Sequence, residues 1–337
     1  MLNIRVVFAL MSLVPTANQT GVAVRFVADE ADAVLAILRA RRTGISPSQA
    51  QWDAVFSSAG YRALLRRETA MGRAFTDSSF RAFVLSDTLL ARTPALERTL
   101  AAWKTTDVSA AANRALAYLP AGTPLRATVF LEVKPFGNSF VFDLDGTRAI
   151  FLYADPTKTT DQIENIVAHE LHHTGVAAAC TDATDSTLPP SIRKARDWAT
   201  AFGEGLAMLA AAGGPDVHPH ALDDATTRAR WDHDVANFNP DLARLQTFFL
   251  DILDGRISAD STRQRGMSFF GIQGPWYTVG WKMAVAVERA YGRDPLVAIV
   301  CRPVDLMAAY NTATRSRGNP EQLALWSDDL LRRLRAS

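Results

Sequence analysis

Apolar residues recur at spacings of three and four along almost the whole of this 337-residue chain, and only between Arg126 and Tyr153 do they alternate. From Asp29 to about Leu119, segments such as ADAVLAILRARR, YRALLRRETAMG and FRAFVLSDTLLAR follow the helical period, punctuated by Gly44, Pro47, Gly60, Gly72 and Pro94. Pro120-Ala-Gly-Thr-Pro124 ends that texture. RATVFLEVKP, SFVFDL and TRAIFLY then read as three strands, the last two flanking the favoured hairpin dipeptide Asp145-Gly146. After Ala154 the helical period returns and persists, with turns near Pro189-Pro190, Gly213-Gly214-Pro215, Gly274-Pro275 and Gly318-Asn-Pro320. The pattern predicts a mainly α chain with a small mid-chain antiparallel or mixed β-sheet, an α+β class.

Its length suffices for one large domain or two modest ones, and 48% apolar with 21% charged residues is ordinary for a globular protein. Basic and acidic side chains nearly balance, 36 against 35, so no electrostatic case exists for nucleic acid or an anionic membrane as partner. No run approaches the roughly 20 apolar residues of a membrane span. Residues 1–23 form a separate segment: Arg5 precedes the mostly apolar Val6 to Val14, then Pro15 and small or polar residues, with Gly21-Val-Ala23 as a cleavage site. That is the plan of a secretory signal, and it predicts an exported, periplasmic or secreted protein. The alternative is an N-terminal strand or helix packed on the core of a cytoplasmic protein. Cys180 and Cys301, the only cysteines, would either pair after export or remain free buried thiols.

The chemistry concentrates in VAHELHHTG, Val167 to Gly175. Thr159 and Gln162 fit a capping box, and Gly175 fits a C′ residue, so a helix is predicted between them. Ile163, Ile166, Val167 and Leu171 share one apolar face. His169 and His173 lie 40° apart at its rim, the i, i+4 geometry that brings two imidazoles to one tetrahedral ion and leaves Glu170 free to act on water. His172 is read on the outer side and not as a ligand. With six histidines and nine glutamates, a chance H-E-x-x-H is expected only roughly 0.003 times in such a chain.

A catalytic zinc takes three protein ligands and keeps one position open. Downstream of the motif only Glu204, Glu288 and Glu321 remain, and the last two read as solvated surface charges. Glu204 lies in WATAFGEGLAMLAAAGG, apolar or small nearly all round, where a buried carboxylate is costly unless paired or bound to a metal. Arg193 or Arg196 would supply the pairing alternative; Asp182, Asp185 and Asp197 are weaker ligand candidates. Gly203 and Gly205 each cost a helix about 1 kcal/mol relative to alanine, which makes sense where a backbone or substrate approaches closely. His218, His220 and His233 lack metal-ligand spacing.

HELHH followed by a GEGLA helix resembles the gluzincin branch of the zincin metallopeptidases. More narrowly, the chain is similar to a bacterial group of unknown function described as zinc-dependent peptidases, in which a Glu helix and a late G-x-x-Y-x-x-G segment follow the motif. Here that segment is GPWYTVG, from Gly274. The likeness runs from the first helices to about Gly292, although the asparagine–glutamate pair of better-known gluzincins is replaced by Gly203-Glu204. The resemblance implies a zincin-like fold with the active-site helix between two lobes, residues 24–175 and 176–337, forming one catalytic unit. It implies one zinc ion per chain held by His169, His173 and Glu204, a peptide or protein substrate, and Glu170 as general base. Tyr277 is the candidate donor to the developing oxyanion, with core packing beside Trp276 and Trp281 as its alternative role. One of the three strands is expected to bind an extended peptide along its edge. Two other readings stay open: a metal-dependent hydrolase of a non-peptide bond, and a non-catalytic helical binding protein.

Overall fold

The computed structural model describes residues 21–106, 108–135, 137, 139–144, 147–180 and 187–336. The N-terminal region is built from α1 (Asp29–Arg42), α2 (Gln49–Ser57), α3 (Ala59–Ala70), α4 (Asp77–Val84), α5 (Asp87–Lys104) and α6 (Val108–Leu116). These surround a sheet of β1 (Val22–Val27), β2 (Leu125–Glu132), β3 (Phe140–Leu144) and β4 (Thr147–Tyr153). The motif helix α7 (Thr160–Ala179) follows, then α8 (Pro190–Ala199), a 3₁₀ turn at Thr200–Phe202, and α9 (Gly203–Ala212). The chain closes with α10 (Ala225–Ala236), α11 (Phe238–Leu253), α12 (Ala259–Ser268), α13 (Pro275–Tyr291), α14 (Arg293–Val297), α15 (Pro303–Ser316) and α16 (Asp328–Arg335). This is the mainly helical α+β class that the periodicity predicts.

The sheet is mixed, in the order β1-β2-β4-β3, with β1 and β4 parallel to β2 and β3 antiparallel to β4. Its parallel centre explains why β2 is buried on both faces, Arg126 excepted, and reads as a nearly continuous apolar run. The fourth strand, β1, departs from the three that the alternation predicts. Val22 and Ala23, expected at the end of a cleaved leader, pair with Leu125 and Arg126. The partner of β1 lies some hundred residues away, and nothing local in VAVRFV distinguishes a strand from the tail of an apolar leader. Most of the signal-like segment, residues 1–20, and the Asp145-Gly146 dipeptide lie outside the described residues.

Two apolar cores form. The first joins α1–α6, the sheet and the apolar face of α7 through Val34, Leu64, Trp103, Val129, Ile150, Val167 and Leu171. The second gathers around Phe202, Phe248, Phe249, Trp276, Met283 and Trp326. They meet where α7 packs on α9. The closest packing is between α9 and α13. A Cβ at Gly205 would fall within the backbone of Gly280 and Trp281, and one at Gly280 would lie 2.7 Å from the Phe202 carbonyl oxygen. Glycine at both positions lets the two helices cross backbone to backbone, which accounts for Gly205. Gly203 meets nothing within 4 Å and lines the open cleft instead. Cys180, at the C-cap of α7, is disulfide-bonded to Cys301.

Candidate metal centre

The start of α7 is as predicted: Thr159 accepts from the Gln162 amide, and the Gln162 side chain answers the Thr159 backbone. Its end is not. Gly175 is no C′ residue, because the helix continues to Ala179. The side chains of Leu119 and Leu125 occupy the space a Cβ at Gly175 would take, so this glycine admits α7 to the sheet. His172 is also corrected. It does not face outward but is fully buried, beneath Tyr118. Burial, reinforced by His173 and His169, pushes its pKa down to about 3, so the ring stays neutral. The rotation that put His172 outside took solvent to lie opposite the sheet, whereas a second core lies there.

His169 and His173 line one cleft, and Glu204 enters it from the first turn of α9. The His169 and His173 Nε2 atoms are 3.1 Å apart, and Glu204 Oε2 lies 3.3 Å from the first and 3.2 Å from the second. Ligands about 2.0–2.1 Å from a tetrahedral zinc are separated by about 3.3–3.4 Å, so the three atoms already sit at the corners of such a site. Two imidazole nitrogens at 3.1 Å with a carboxylate oxygen against both form a donor set that fits a borderline divalent ion. Among the described residues, no other group of three His, Cys, Asp or Glu side chains is so disposed. His218 and His220 pair instead with Asp232 at 3.0 Å and Asp223 at 2.7 Å.

The other acidic candidates separate cleanly. Burial works against the Glu204 carboxylate, yet His173 and His169 hold its pKa far below the usual range. Glu321 is exposed and pairs with Lys282, as expected. Glu288 is not a solvated charge. It is buried, accepts the Tyr118 hydroxyl at 2.9 Å and takes Arg293 Nε at 3.0 Å. Arg196, offered as a partner of Glu204, donates instead to the Leu334 carbonyl at 2.7 Å. Asp197 lines the cleft, while Asp182 and Asp185 lie outside the described residues.

Glu170 opens onto the same cleft, and burial raises its pKa. Tyr277, on the first turn of α13, stacks on His169 with ring centroids 6.3 Å apart. Burial and the hydrogen-bonded Glu204 carboxylate both keep its phenol protonated. Its neighbour Trp276 turns the other way, into the second core. The geometry therefore brings Tyr277 to the metal cluster and leaves core packing to Trp276.

The cleft has a volume of about 1040 Å³. One wall is β3, an edge strand, through Phe140 and Val141; β4, which leads into α7, is interior and contributes Arg148. The opposite wall includes Cys301, Arg302 and Leu334. Arg148, Arg302 and Leu334 carry no sequence signal for this site, because they join the cleft of His169 only through packing across more than twenty residues of chain. No helix among the described residues is long and apolar enough to cross a membrane.

No curated protein and no solved structure matches the chain. A family model described as "Putative zinc dependent peptidase (DUF5700)" does match, over residues 52–319, a span that takes in β2–β4, α7, α9 and α13. With a His/His/Glu cluster of zinc-ligand spacing at the centre of that span, the chain belongs to this zinc-peptidase-like family.

Proposed function

We propose that the protein is a zinc-dependent peptidase of gluzincin type that hydrolyses peptide bonds, with His169, His173 and Glu204 as metal ligands. One observation carries this reading: three ligand atoms 3.1–3.3 Å apart face a cleft bounded by β3, an edge strand among the described residues. Zinc in such a site lowers the pKa of water and polarises a carbonyl. Glu170, which opens onto the same cleft, takes a proton from the attacking water and passes it to the leaving amine. The phenol of Tyr277, held protonated beside Glu204, donates to the oxygen on which negative charge develops. The edge of β3, without a further strand among the described residues, would hold an extended substrate by main-chain hydrogen bonds, a mode that suits a peptide better than a small rigid molecule.

Export fits the same reading, because the Cys180–Cys301 disulfide belongs in an oxidising compartment. Metal analysis of protein purified without a histidine tag, followed by digestion of a peptide library, tests the function. About one zinc per chain and cleavage products that vanish in Glu170→Gln are expected. Less than about 0.2 zinc per chain would favour the non-catalytic reading. Full zinc without any peptide cleavage would favour another substrate bond.

A further inference from the structure

Arg148 stands apart from the other arginines of the cleft. Arg302 and Arg335 share Asp305, at 3.4 and 3.1 Å. Arg196 is tied to the Leu334 carbonyl, and Arg193 is also engaged. Arg148 is exposed and has no hydrogen-bond or ion-pair partner among the described residues. It sits on the interior strand β4, followed directly by the buried Ala149 and Ile150.

Strand alternation puts Arg148 on the same sheet face as Ile150. Ile150 is in register with Val129, which shares that face with Leu125, and Leu125 packs at Gly175 of α7. Arg148 is thus carried on the α7 side of the sheet, and it lines the same cleft as His169 and His173. Arg148 is also one strand in from the edge that bounds the cleft. Arg148 stands in register with Asp143 of β3, and a guanidinium with no hydrogen-bond or ion-pair partner among the described residues, lining the cleft of the metal ligands, suits an anion; a carboxylate matches its planar fork.

We propose that Arg148 is the specificity-determining residue of this cleft, and that preferred substrates are peptides with a carboxylate beside the scissile bond. That carboxylate is an acidic side chain or a free C-terminus. The inference rests on the peptidase reading for its substrate class, but its test is made by binding, so the two can fail separately.

Full-length, zinc-loaded Glu170→Gln protein is titrated with fluorescein-labelled peptides in matched pairs. One set places Glu or Gln at successive positions, and another ends in a free acid or an amide. The acidic member of at least one pair should bind about tenfold to a hundredfold tighter at low salt. Adding Arg148→Gln should bring that ratio to about one while leaving the neutral peptide's affinity unchanged, which also shows that the variant is folded. Arg148→Lys should retain part of the preference, and the pair that responds identifies the source of the carboxylate. Equal binding within every pair, no binding at all, or a preference that survives Arg148→Gln would overturn the proposal. Arg148-dependent binding by a protein that cleaves no peptide once Glu170 is restored would keep it and remove the peptidase reading instead.

Discussion

Glu204 and Glu132 are both carboxylates withdrawn from water, and the chain gives them opposite surroundings. Glu204 faces two imidazoles and a phenol at the edge of a cleft. Glu132, at the end of β2, is fully buried, and neither of its oxygens meets a hydrogen-bond partner among the described residues. Glu30 beside it has one unpartnered oxygen, while the other accepts the Val133 amide at 2.9 Å. Burial raises both pKa values, Glu30 to about 8, and mutual repulsion adds to the effect at Glu132. Burial, with repulsion from neighbouring acids, therefore outweighs Lys134 and neutralises both acids. A buried acid remains an ionised ligand only where fixed donors or a cation face it.

The substitutions with the largest expected effect remove the donors around Glu204. His169→Ala, His173→Ala or Glu204→Gln should abolish stoichiometric zinc and reduce peptide hydrolysis by more than about a thousandfold, read by elemental analysis and product formation. Retention of full zinc in all three would erase the distinction between the two buried acids. Glu170→Gln should keep the zinc and still lose about a hundredfold to ten-thousandfold in turnover. A variant at residue 170 that lost the metal would make this residue structural.

Tyr277→Phe should lower turnover about tenfold to a thousandfold with melting temperature and zinc content unchanged. A normal rate would return Tyr277 to packing. Gly205→Ala acts on the support of Glu204 rather than on its chemistry. Forcing a methyl group into the α9–α13 crossing should cost about 1–3 kcal/mol of stability, measured by denaturant unfolding.

The smallest effect belongs to Glu132. A carboxyl whose pKa is raised on folding contributes stability that is complete below the unfolded value and lost as pH climbs through the folded one. For Glu30 that window runs from 4.5 to about 8, and Glu132 shifts in the same direction. Melting temperature should fall across this window, and Glu132→Gln should flatten the decline. Parallel profiles for the two proteins would mean that the buried pair is not protonated as the comparison requires.

Legibility of the site in the sequence follows the range of each interaction. The capping box at Thr159, the 40° offset of His169 and His173 and the strand character of the residues after Leu125 are local, and the structure repeats them, with β2 buried on both faces rather than alternating. Glu204 could be singled out because a carboxylate in an apolar helix carries its own energetic signature. His172, Gly175 and Glu288 were misplaced for one shared reason: each looks like a surface or terminal residue until a second layer packs over it. β1 and Arg148 carried no local signal at all.

By itself, then, the order of residues determined that two imidazoles would stand one helical turn apart and that a buried acid would follow 31 positions later. Backbone periodicity and the desolvation of a charge act over a few residues and leave their mark there. The tertiary structure decided that α9 would cross α13 at paired glycines and so bring Glu204 to those rings. It also decided which strand would lie at the edge beside the cleft, and which arginine of the cleft would have no hydrogen-bond or ion-pair partner among the described residues. Such choices depend on faces meeting across the whole chain, and no short stretch of it contains them.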